Sequence, residues 1–163
     1  MGVEKGFTAD GYIADQDALE GQRYRSIPAV INGCGPVAAY NLRRFLAQQP
    51  DWREVFAEMD GMHRVCLPGP TLMSVMREYL NRHIPGLRET AGREAALAAA
   101  RESRAGIFRY REKHEPHFVS FLRTGEDEFR FFNVDDGLED CRMSMETFGR
   151  EHLTGGMVIV FTV

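Results

Sequence analysis

The chain has 163 residues, 44% of them apolar, and a formal net charge of −4. That length suits one domain with one core, and that apolar fraction excludes intrinsic disorder. The mild acidity, without any basic block, gives no electrostatic footprint for nucleic acid, and no apolar run approaches the length of a membrane span.

Residues 1–26 read as an irregular segment in which Gly6, Gly11 and Gly21 are scattered among charges. The segment lacks an apolar signal core, and Gly6 stands where a myristoylation pattern needs Ser or Thr. The expectation is therefore a soluble, cytoplasmic protein with no membrane partner. From Cys34 to about Gln48 the chain reads as a helix, with Val37, Leu42, Phe45 and Leu46 as an apolar stripe and Pro36 in the first turn, where its missing N–H costs nothing. Asp51 caps a second helix through about Met59. Leu72, Val75, Met76, Tyr79 and Leu80 keep a helical period that ends at Pro85-Gly86, and the alanine-rich run from Arg93 to Ser103 predicts a fourth helix.

Near Ala105 the pattern changes. Residues 106–110, 117–122 and 128–134 read as strands, the last two joined by the turn Gly125-Glu126-Asp127. Ser144 caps a short helix through Arg150, and Met157 to Val163 is an apolar final strand of central character. Helices first and antiparallel strands second predict an α+β fold of one domain, helices packed on a sheet of about four to six strands, with no linker that would split the chain.

Chemistry concentrates around Cys34. Glycine flanks the cysteine on both sides and a helix follows, which puts the thiol at or near a helix N-terminus, where free N–H groups and the helix dipole favour the thiolate. Cys66 and Cys141 carry no comparable setting and read as small packed residues. His117 lies at the start of one hairpin strand and Asn133 near the end of its antiparallel partner, so the hairpin brings them together. The Asn133 amide oxygen is expected to accept from one imidazole nitrogen, leaving the other to face Cys34. Cysteine, histidine and asparagine in that arrangement make a nucleophile, its base and the base's orienter. The cluster His114-Glu115-Pro116-His117 does not make a helical zinc site, because Pro116 breaks a helix. The run from Asn133 to Glu139 is out of register for a calcium loop.

These residues resemble those of the papain-like cysteine peptidases, nearest to the bacterial branch that trims double-glycine leaders from bacteriocins. The motifs that carry the resemblance are Cys34-Gly35-Pro36 at a helix start, His117-Phe118-Val119, and Asn133-Val134-Asp135 at a strand end. The resemblance spans roughly residues 26–163 in order of elements, with about a dozen specific positions. It implies a papain-like fold, hydrolysis of a peptide, isopeptide or related amide without a cofactor, and a peptide or protein substrate. Cys34 would be the nucleophile, His117 the base, and Asn133, or alternatively Asp135, the orienter. That family carries a glutamine six residues before the cysteine as an oxyanion donor, and Pro28 occupies this position here. Asn32 and the more distant Gln22 are the sequence candidates to replace it, beside the main-chain N–H of Cys34. The alternative reading is a papain-like domain that has lost catalysis and serves as a binding or scaffolding module.

Overall fold

The computed structural model describes residues 4–65, 67–134 and 140–163. After an N-terminal segment that holds a single 3-10 turn at Gln16–Ala18, the elements run β1 (Arg23–Tyr24), β2 (Ile27–Pro28), α1 (Ala29–Asn32), α2 (Cys34–Phe45), α3 (Trp52–Gly61), α4 (Met73–His83), β3 (Arg88–Ala91), α5 (Arg93–Glu102), β4 (Ala105–Glu112), β5 (Glu115–Arg123), β6 (Phe129–Phe132), β7 (Cys141–Met143), α6 (Met145–Glu151) and β8 (Ile159–Thr162). Strands β3 to β8 form one antiparallel sheet of six in the order β3-β8-β4-β5-β6-β7. β1 and β2 form a separate small ribbon. The fold is α+β, and β8, last in sequence, lies inside the sheet as its apolar run predicts.

Strand alternation divides the core between the two faces of the sheet. Ile107, Phe118 and Phe161 pack against α2, α3 and α4, whose buried stripes include Val37, Phe56 and Tyr79. Phe108, Val119 and Val160 pack on the other face against Leu97 of α5 and Phe148 of α6. The predicted caps are in place. The Asp51 carboxylate accepts from the Arg53 N–H at 2.7 Å, and the Ser144 hydroxyl accepts from the Thr147 N–H at 3.1 Å.

The N-terminal segment is not loose. Phe7 and Ile13 bridge its two ends, and Asn41 of α2 clasps the main chain of Ile13. The Asn133 N–H donates to the Ala14 carbonyl at 3.0 Å. A stretch with no helical or strand period is thus tied to both α2 and the end of β6, and this carries residues 15–17 to the mouth of a cleft.

Candidate active site

Cys34 stands where two helical segments meet. α1 ends at Asn32, Gly33 turns the chain with its N–H on the Ala29 carbonyl at 2.7 Å, and α2 begins at Cys34. The helix start predicted at Cys34 is present, but it is preceded by a further helical turn rather than by open chain. The flanking glycines have a steric cause. A Cβ on Gly33 would lie 2.6 Å from the Ala29 carbonyl oxygen, and one on Gly35 would lie 2.1 Å from Thr71 Oγ1. Thr71 is itself held by the buried Tyr24 hydroxyl at 2.9 Å. Cys34 is 4% exposed and lies on a cleft of about 370 Å³, together with His117, Asn133, Gln16, Glu112 and Ile31.

His117 lies near the start of β5, opposite Tyr110 of β4, whose ring meets the imidazole edge to face at 5.7 Å. Its Nε2 hydrogen-bonds the main-chain carbonyl of Asn133 at 2.9 Å, and the Glu112 carboxylate lies 3.7 Å from the same nitrogen. Cys34 lines the same cleft and is the strongest of the influences that raise the titration of the ring. Burial of the ring is the largest single influence on its titration and works to lower the pKa. Cys34, the charge of Glu112 and the Asn133 carbonyl together outweigh it, so the pKa is raised to about 9.

Asn133 touches His117, but not through the group expected from the sequence. Regular strand geometry stops at Phe132, and Asn133 has a φ of +62°, the left-handed region that Asn tolerates better than most residues. That turn breaks the alternation with Phe129 and Phe131, aims the main-chain carbonyl at the imidazole, and swings the side chain toward the N-terminal segment. There the Gln16 N–H donates to Asn133 Oδ1 at 3.0 Å, and Asn133 Nδ2 donates to Gln16 Oε1 at 2.7 Å.

Asn32 is a correction to the sequence reading. Its side chain is buried away from the cleft, and Nδ2 donates to the carbonyls of Tyr24 at 2.9 Å and Gly69 at 2.8 Å. An amide has two such hydrogens and both are spent, so Asn32 has none to offer an oxyanion. It instead pins the loop around Gly69 to the β1 strand. Gln22 also lies outside the cleft, donating to the Arg23 carbonyl at 2.7 Å. Pro28 is the N-cap of α1. Asp135 and Cys66 lie outside the described residues, and Cys141 is buried on β7, remote from the cleft lining.

Gln16 is the residue that sequence reasoning missed. It precedes Cys34 by eighteen positions, not six, and sits in an aperiodic stretch. Its Nε2 donates one hydrogen to the Val30 carbonyl at 2.9 Å, which fixes the amide on the wall of the cleft that holds Cys34. A thiol and an imidazole on one cleft, with side-chain amides and main-chain groups around them, make an arrangement suited to attack on a carbonyl.

Comparison with solved structures agrees with this reading of the fold. The chain is similar to the crystal structure of the peptidase domain of Streptococcus ComA, a bi-functional ABC transporter involved in a quorum-sensing pathway, with a TM-score of 0.54 and 14% sequence identity over 81% of this chain and 92% of that one. The fold is that of a papain-like peptidase domain. No protein-family model and no curated protein matches the chain by sequence. The likeness to that domain is therefore one of fold.

Proposed function

We propose that the chain is a cysteine-dependent hydrolase of peptide, isopeptide or related amide bonds. The observation that carries this reading is that Cys34 and His117 line one cleft, with Cys34 acting to raise the His117 pKa. The ionised thiol is the form that acts as nucleophile. In this scheme Cys34 Sγ attacks the substrate carbonyl and forms a tetrahedral oxyanion. His117 then gives its proton to the departing amine as the C–N bond breaks, leaving a thioester. Water, deprotonated by His117, cleaves the thioester and restores the thiol–imidazole pair. No cofactor takes part.

Asn133 serves as orienter through its main-chain carbonyl, which holds Nε2. The oxyanion donors we assign are the main-chain N–H of Cys34 and the Gln16 amide, whose second hydrogen is not needed by Val30. The substrate would be a peptide or protein, in keeping with the papain-like fold.

The test is intact-mass analysis after treatment with iodoacetamide and, separately, with a peptidyl vinyl sulfone at neutral pH. The expected result is one equivalent of adduct, mapped to Cys34 and formed much faster than any at Cys66 or Cys141, with His117→Ala slowing it at least tenfold. Slow labelling, spread over all three cysteines, would overturn the reading in favour of a catalytically silent binding domain.

A further inference from the structure

We infer that Glu112, rather than the Asn133 side chain, supplies the polar partner that holds the His117 imidazole in its working state, which makes Glu112 a positioning residue of the site. The inference rests on the Cys34–His117 reading above. Its basis is the register of one hairpin. β4 and β5 pair Tyr110 with His117 and Glu112 with Glu115, so all four side chains share a face and Glu112 is the diagonal neighbour of His117. A diagonal neighbour across antiparallel strands is within reach of a long side chain, and Glu112 Oε2 indeed lies 3.7 Å from His117 Nε2. The turn that joins the strands is Lys113-His114, with both residues left-handed at φ +46° and +74°. That is the tight two-residue geometry that leaves the register no slack.

Burial makes the carboxylate effective. The side chains of His117 and Glu112 are only 15% and 29% exposed, so water screens the pair less than it would on an open surface. The neutral amide expected in this role has turned away to Gln16, and the Asn133 carbonyl offers a dipole but no charge. The other charged or titratable groups around the ring are Cys34 of α2, Lys113 of the turn, Glu115 of β5, and Asp15 and Asp17 of the N-terminal segment, all on the cleft, with Tyr110 edge-on from β4. Asp15 is engaged in capping, accepting from the Asp17 N–H at 2.9 Å. Among the described residues, Glu112 is the carboxylate at ion-pair distance from the imidazole. It also adds to the upward displacement of the His117 pKa.

The experiment is an NMR titration of the His117 Cε1–H in the intact chain, for the wild type, Glu112→Gln, Glu112→Asp and Asp135→Asn. Removing the negative charge in Glu112→Gln is expected to lower the His117 midpoint by about one pH unit, the low end for a nearby opposite charge because both groups are partly exposed. Glu112→Asp, which keeps the charge, should recover at least half of that displacement. If Glu112→Gln folds poorly, Glu112→Ala removes the same charge and reads the same midpoint. An unmoved midpoint in the charge-removing variant, or a full displacement in Asp135→Asn with none at position 112, would overturn the inference. The titration is independent of thiol labelling. Failure of Cys34 to react selectively would therefore count against the hydrolase reading, while an unmoved His117 midpoint beside fast, His117-dependent labelling would count against Glu112 alone.

Discussion

Asn41 treats Ile13 as a neighbouring strand would. Its Oδ1 accepts from the Ile13 N–H at 2.8 Å and its Nδ2 donates to the Ile13 carbonyl at 2.9 Å, with a further bond from Nδ2 to Ser120 Oγ at 3.1 Å. One side chain of α2 thus links the N-terminal segment to β5, two turns of helix below the cysteine. Asn41→Ala leaves the buried polar groups of Ile13 without partners, and the expected loss is about 2–3 kcal/mol of unfolding free energy. Urea denaturation checks this. A loss under 0.5 kcal/mol (on the order of a surface substitution) would mean the clasp is dispensable.

Gln16→Ala separates the nucleophile from the oxyanion site. The variant keeps Cys34 and His117, so alkylation of Cys34 should change less than threefold. Hydrolysis of any substrate found for the wild type should fall by roughly 10²–10³ in kcat, the cost of one lost oxyanion donor. Parallel losses in alkylation and turnover would show instead that Gln16 acts by supporting the Asn133 loop.

The pH dependence follows from the charge on His117. Its folded pKa is raised to about 9, so the imidazolium is present below that value and is lost as pH rises through it. In the proposed mechanism the imidazolium is the proton donor to the leaving amine. Turnover should therefore decline on the alkaline side with a midpoint near 9, while alkylation of Cys34, which needs no proton donor, should persist. A pH–rate profile for hydrolysis that stays level from pH 8 to 10.5 would contradict the assignment of His117 as general acid.

Gly35→Ala tests the packing that seats the cysteine. The new Cβ would fall 2.1 Å from Thr71 Oγ1, so the helix start and the Thr71 loop cannot both keep their positions. The expected cost is about 1–3 kcal/mol, together with slower alkylation of Cys34. Adding Thr71→Ala should return part of the stability, less the bond to the Tyr24 hydroxyl. A thermal melt of the single and double variants measures both.

Local signals made much of this molecule readable in advance. Asp51 and Ser144 announced their helices because a cap acts on its own next few residues, and the apolar period of Val75, Met76, Tyr79 and Leu80 marked the face of α4 that is buried. β3 left no such mark. Arg88-Glu89-Thr90-Ala91 has no buried face and is a strand only because β8 pairs with it. The site divides the same way. Cys34 and His117 were visible through residue type and neighbours. The use of the Asn133 carbonyl depends on a positive φ at a strand end, and the placement of Gln16 depends on contacts from Asn41 and Asn133, which lie 25 and 117 positions away. Glu112 lay in between, since its closeness to His117 follows from hairpin register once the two-residue turn at Lys113-His114 is recognised.

The position of β8 has a consequence for how the chain reaches its native form. Ile159–Thr162 separates β3 from β4, pairing with both, so edge strand β3 cannot join the sheet until this stretch has left the ribosome. Before then α2, α3 and α4 can gather on the β4–β5 hairpin, but Gly106–Arg109 presents a bare hydrogen-bonding edge and β3 has nothing to lie against. The nascent polypeptide therefore carries an open template for wrong pairing from the synthesis of β4 until β8 is made. Cys34 is therefore made well before the strand that joins β3 to β4 and steadies the sheet holding His117.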